Sequence, residues 1–127
     1  MSSSPRVHVE ENEDGVIRAG ASARWIRLGE AEALCTGIRD SAGRLDRPRL
    51  LMDMRSLSRA TPAAGLYALR QLRQFPVERI ALFGASPFMR AFAAVVLKLG
   101  RFPEARFFAG RTAAEAWLLE GRGAAQS

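Results

Sequence analysis

Two short apolar bursts, Leu50–Met54 and Ile80–Phe83, each give way to a loop and then to a hydroxyl residue followed by proline, Thr61-Pro62 and Ser86-Pro87. A burst of four or five apolar residues is too brief for a typical helix and predicts a strand buried on both faces. A hydroxyl residue before proline predicts a helix start, with the hydroxyl as N-cap and proline in the first turn. The same unit is read again at Glu104–Ala109, followed by the capping-box spacing Thr112-Ala-Ala-Glu115. Repeated strand, loop and capped helix predict an α/β domain.

The flanking pattern fits this frame. Arg6–Glu11 alternates, with Val7 and Val9 on one side and Arg6, His8 and Glu10 on the other, which predicts a half-buried strand. Asp14-Gly15 turns it into a return strand at Val16–Ala19. Leu28, Ala31, Leu34, Cys35, Ile38 and Ala42 mark one stripe of a first helix that starts between Ser22 and Arg27 and ends at Gly43. A second helix from Pro62 to about Phe75 shows Leu66, Leu69 and Leu72 as its inner face. A third, Pro87–Leu99, is apolar around most of its circumference, with only Arg90 and Lys98 charged. The predicted order is ββαβαβαβα: a mixed five-stranded sheet with four helices, its last three strands parallel through right-handed crossovers. One domain spans 6–120, with loose tails at 1–5 and 121–127.

Composition narrows the function. The chain has 127 residues, 48% of them apolar and 25% charged, as in ordinary globular domains. Its net charge is +6, but the basic residues are scattered and nearly all Arg, which argues against a nucleic-acid partner. The single cysteine, Cys35, excludes an intrachain disulfide and a cysteine-based metal cluster, so neither a metal nor a cofactor is expected. No apolar run reaches transmembrane length and no signal peptide opens the chain, so a cytoplasmic protein is expected. Phosphate-loop, dinucleotide-binding, zinc-protease and nucleophile-elbow motifs are absent. His8, the only histidine, reads as a surface residue. Asp53, the one acid in an apolar strand, reads as an acceptor for the loop that follows, at the backbone of Ser56 or Leu57.

The order of elements, with Leu-Leu-Met-Asp-Met-Arg at 50–55, Arg-Ile-Ala-Leu-Phe-Gly at 79–84, Ala-Arg-Phe-Phe at 105–108 and Glu-Ala-Trp-Leu at 115–118, resembles the SpoIIAA-like proteins. These group with the STAS domains of anti-sigma-factor antagonists and with the CRAL-TRIO lipid-transfer fold. The resemblance covers nearly the whole chain and implies a five-stranded α/β domain with a regulatory or binding role rather than catalysis. It also implies a phosphorylated serine at the start of the helix after the central strand. Ala60-Thr61-Pro62 stands there instead, leaving Thr61 and Ser58 as the candidates for modification.

Two surfaces are expected to carry function. Parallel strands bring the helix starts to one rim, where free N–H groups and arginines attract anions. Arg55, Ser56, Ser58, Arg59, Thr61, Ser86, Arg90 and Arg111 are the predicted docking residues for a protein partner or a small anion. The apolar third helix offers Phe88, Met89, Phe92, Val96 and Leu99 as a ligand pocket or a homodimer seam. A lipid-binding, membrane-peripheral protein is therefore the alternative to a partner-docking regulator, and an enzyme is the third choice.

Overall fold

The computed structural model describes residues 6–12 and 14–120. Its elements are β1 (Val7–Glu11), β2 (Val16–Ala21), β3 (Trp25–Ile26), α1 (Leu28–Ala42), β4 (Arg49–Asp53), β5 (Arg59–Ala60), α2 (Pro62–Leu72), β6 (Ile80–Phe83), α3 (Pro87–Leu99), β7 (Ala105–Phe108) and α4 (Arg111–Leu118). The tails predicted at 1–5 and 121–127 lie outside the described residues.

One sheet holds five strands in the order β1-β2-β4-β6-β7. β1 is antiparallel to β2, and the other neighbours are parallel. Handedness then fixes the layers. Because strand order rises steadily from β2 to β7, right-handed crossovers put α1, α2 and α3 on one face. α4 follows the last strand, closes no crossover, and covers the opposite face. Alternation divides the strand side chains between the two layers. Leu50, Ile80 and Leu82 pack with Leu34, Ile38 and Met89 beneath the three helices. Leu51, Ala81 and Phe83 pack with Ala114, Trp117 and Leu118 of α4. The central strands are thus buried on both faces, as their short apolar runs, broken only by Asp53, predict.

Several local expectations are corrected. The segment before α1 is not a plain lead-in: β3 pairs in parallel with β5, Trp25 opposite Arg59 and Ile26 opposite Ala60. α1 begins at Leu28, later than the predicted window, and Leu28 itself is exposed. α2 ends at Leu72, and its buried positions are Ala64 and Gly65, while Leu66 is 50% exposed. Small residues win that face because α2 lies against α3: a Cβ on Gly65 would sit 2.6 Å from Cζ of Phe92. Gln71 accepts a hydrogen bond from Nε of Arg39 on α1 at 3.0 Å.

Thr112 is not a cap. α4 starts two residues earlier than a Thr112 cap would place it, with Gly110 as N-cap and no side-chain cap bond. Glu115 is drawn instead to Arg111 at 3.0 Å and to Arg18 of β2 at 3.2 Å. Two ion pairs thus occupy the carboxylate that a capping box needs. The other end of α4 is held by buried Arg49, which is 6% exposed. Its guanidinium donates to the carbonyls of Leu118 and Glu120, and its Nε donates to Glu78. Arg79 donates to the carbonyl of Trp117 at 2.9 Å. Cations at a helix C-terminus satisfy orphan carbonyls and complement the helix dipole.

Candidate functional site

The C-terminal ends of β4, β6 and β7 share one rim, as the parallel registers require. Two helices start there with the predicted caps. Thr61 Oγ1 accepts from the Ala64 N–H at 3.2 Å, and Ser86 Oγ accepts from the Met89 N–H at 3.3 Å. Each hydroxyl thus serves its own helix. Thr61 and Ser58 are half-buried, Ser56 is exposed, and the Ser58 N–H is tied to the Arg24 carbonyl at 2.7 Å.

The structure divides the predicted arginines between the two faces of the sheet. Arg55 and Arg111 belong to the α4 side and are paired. Arg55 holds both carboxylate oxygens of Asp53, at 3.0 and 2.8 Å, and its backbone N–H donates to the same group. Arg55 therefore takes the role expected of Ser56 or Leu57. These bonds to Arg55 keep the Asp53 carboxyl below its ordinary range. The stem of Arg55 also lies over Gly84, where a Cβ would meet its Cγ at 2.4 Å. Gly84 has φ +74°, so glycine is needed there for space and for backbone conformation alike.

Arg59 and Arg90 belong to the three-helix side. The Arg59 guanidinium lies 4.8 Å from the centroid of Phe88, and that of Arg90 lies 5.4 Å from the centroid of Phe107. Neither has a carboxylate partner among the described residues. Trp25 sits opposite Arg59 in the short β3–β5 pair and is 44% exposed, and Phe88 is 42% exposed. Trp25, whose ring carries the Arg27 guanidinium at 5.7 Å, and the stacked Arg59–Phe88 pair thus make a ledge of exposed residues beside the short β3–β5 pairing. The pattern of apolar positions gave no sign of it, because pairing between two-residue strands leaves almost no periodic signal.

Two hollows flank the rim. On the α4 side, a notch of about 50 Å³ is lined by His8, Glu10, Arg18, Asp53, Phe83 and Arg111. His8 packs over Gly20, where a Cβ would lie 2.7 Å from its Cε1 and 3.1 Å from Cβ of Asp53. His8 and Asp53 are thus neighbours, but the hydrogen bonds of Asp53 go to Arg55. On the other side, a cavity of about 160 Å³ lies between α1, α2, α3 and the sheet. Of the third helix's candidates, Met89, Phe92 and Val96 line it, together with Leu34, Cys35, Ala68 and Ala93. Phe88 and Leu99 do not line it and are exposed instead, at 42% and 59%. The predicted pocket face is thus two faces, one turned in and one turned out. Burial pushes the Cys35 thiol up to about 11.

Among the described residues, no cluster of three or more His, Cys, Asp or Glu side chains can hold a metal ion. No helix among them is long and apolar enough to cross a membrane.

No protein-family model and no curated protein sequence matches the chain. Solved structures do. An uncharacterized protein of the DUF3478 family from Shewanella loihica PV-4, described as having a SpoIIAA-like fold, superposes with a TM-score of 0.66 at 17% identity, over 88% of this chain and 91% of that one. The anti-sigma factor antagonist SpoIIAA in its unphosphorylated form superposes with a TM-score of 0.60 at 15% identity, over 91% of this chain and 98% of that one. The sheet order, the three helices on one face and these superpositions together make this a SpoIIAA-like fold.

Proposed function

We propose that this protein is a non-catalytic regulatory domain that docks a protein partner on the rim at the C-terminal ends of its parallel strands. The exposed ledge of Trp25, Arg59 and Phe88 carries the reading. Trp and Arg dominate binding hot spots because they bury large areas and pair broadly at modest entropic cost. Here they stand exposed beside the loop 54–58 and the start of α3. The fold is shared with an anti-sigma factor antagonist, a protein that acts through partners, and this supports the same class of role. Asp53 and His8 support it from the other side. A general acid or base needs a pKa near the working pH, and the Asp53 carboxyl is instead held low by its hydrogen bonds from Arg55.

Modification of Thr61 or Ser58 would regulate this rim. A phosphate on Thr61 would sit at the N-terminus of α2, where the helix dipole favours negative charge, close to Arg59 in the chain. The test is affinity capture followed by crosslinking from position 59. Partner retention is expected to fall at least tenfold in Trp25→Ser and to survive in Arg106→Gln on the opposite face. Equal retention in both variants overturns the ledge.

A second reading rests on the cavity beneath α2 and α3, whose lining is apolar but for Gln71. Its volume suits a small apolar molecule, of the order of one aromatic ring. Toluene is expected to raise the melting temperature of purified protein. No shift at saturating toluene removes this reading and leaves the rim untouched.

A further inference from the structure

The positive charge of this chain is not spread through its fold. Residues 54–103 carry eight Arg and Lys side chains against a single acid, Glu78, while the rest of the chain carries eleven against twelve. The arginines look scattered in sequence, but it is the acids that are segregated. No acidic residue lies in α2 or α3. Arg59, Arg70, Arg73, Arg90, Lys98 and Arg101 form no salt bridge among the described residues, whereas Arg55 and Arg79 are paired with Asp53 and Glu104. Glu78 itself is taken by Arg47 and Arg49.

The same two helices expose large apolar side chains. Leu66 is 50% exposed, Val95 56% and Leu99 59%. On α3, Phe88, Val95 and Leu99 fall within about 40° of one another around the helix axis. On α2, Leu66, Arg70 and Arg73 share one side at helical spacing. The outer surface of the helix pair is therefore an apolar crest with cations beside it.

We propose that this crest docks on an anionic lipid surface. A second copy of the chain is disfavoured, since a two-fold contact would set one unpaired basic flank against another. Leu66, Phe88 and Val95 line neither the apolar cavity nor the groove formed by Arg73, Leu99 and Arg101 at the far end of the helices. They are exposed on the outside of the helix pair, at 50%, 42% and 56%. Insertion of a shallow apolar face, held by cations at the headgroups, needs only such exposed apolar side chains with unpaired cations beside them. The surface differs from the ledge proposed for a protein partner, meeting it only at the stacked pair Arg59 and Phe88.

The test is sedimentation of the full chain with vesicles. Binding to phosphatidylglycerol vesicles is expected, with at least tenfold weaker binding to pure phosphatidylcholine and release at high salt. Val95→Asp and Leu99→Asp, at positions exposed enough to leave the fold intact by circular dichroism, are expected to weaken binding tenfold or more. Arg70→Glu with Lys98→Glu should do the same, and Arg106→Gln on the opposite face should not. Equal binding to neutral and anionic vesicles overturns the proposal. So does binding that ignores the Val95 and Leu99 substitutions, since the apolar crest is then not engaged. Absence of vesicle binding, with the same variants losing an acidic protein partner, assigns the crest to that partner instead. A Trp25→Ser variant that still binds vesicles keeps this outcome separate from that of the ledge.

Discussion

Arg49 shows how one residue joins both ends of the fold. Its backbone begins β4, and its buried guanidinium reaches two carbonyls at the end of α4 and the carboxylate of Glu78. Removing it leaves buried acceptors without donors, which costs about 2–4 kcal/mol. Arg49→Met is therefore expected to lower the melting temperature by on the order of 10 °C, while Arg47→Met, whose side chain is 68% exposed, changes it little. Glu78 supplies a pH signature. Hydrogen bonding from Arg47, then from Arg49, outweighs desolvation and holds its carboxyl below the ordinary glutamate range. A depressed folded-state pKa stabilises above the ordinary carboxylate range, and that contribution is lost as pH falls through the folded value. The urea midpoint should thus drop below about pH 4.5 in the wild type, and less steeply in Glu78→Gln. Cys35 follows the opposite rule: burial raises its thiol pKa to about 11, so at neutral pH the native protein should resist thiol reagents until it opens.

Helix α2 shows where sequence reasoning succeeds and where it fails. Its start was legible, because the Thr61-Pro62 cap is a local device whose hydrogen bond spans three residues. Its inner face was not. Of the leucines at 66, 69 and 72, only Leu72 packs against the core, while close packing against Phe92 selects glycine at 65 and leaves Leu66 half exposed. The lost cap at Thr112 has a similar cause, since Arg18 lies 97 residues from Glu115 in sequence. The ledge escaped for want of periodicity, and the division of the rim arginines between two faces escaped because α4 alone crosses beneath the sheet. Parallel strands and the rim itself were legible, since handedness and cap chemistry act at short range. The α2–α3 contact is testable directly. Alanine at position 65 gains about 1 kcal/mol of helix propensity but drives a methyl into the Phe92 ring, and overpacking of that kind costs about 1–3 kcal/mol. Gly65→Ala is therefore expected to destabilise in urea denaturation, whereas Leu66→Ser stays within about 0.5 kcal/mol of the wild type.

At the scale of the whole molecule, the three helices on one face do not close completely over the sheet. Interiors pack nearly as densely as organic crystals, so a void is paid for in lost contacts. The space of about 160 Å³ is partly open at its mouth, so it costs less than a sealed void of that size. Nothing local demands it: alanines at 68 and 93 stand where larger side chains would fill the space. Filling it separates two cases by sign. If the space is a working cavity, Ala93→Leu recovers dispersion contacts and raises stability by about 1 kcal/mol or more. It also abolishes the toluene-induced thermal shift. If the helices already close on the sheet in solution, the same substitution overpacks the core and lowers stability by about 1–3 kcal/mol. Ala68→Leu reports from the opposing helix and should agree in sign, because both side chains enter the same space. A rise in melting temperature for both variants, with toluene no longer stabilising either, identifies the hollow as a site kept open at the expense of stability.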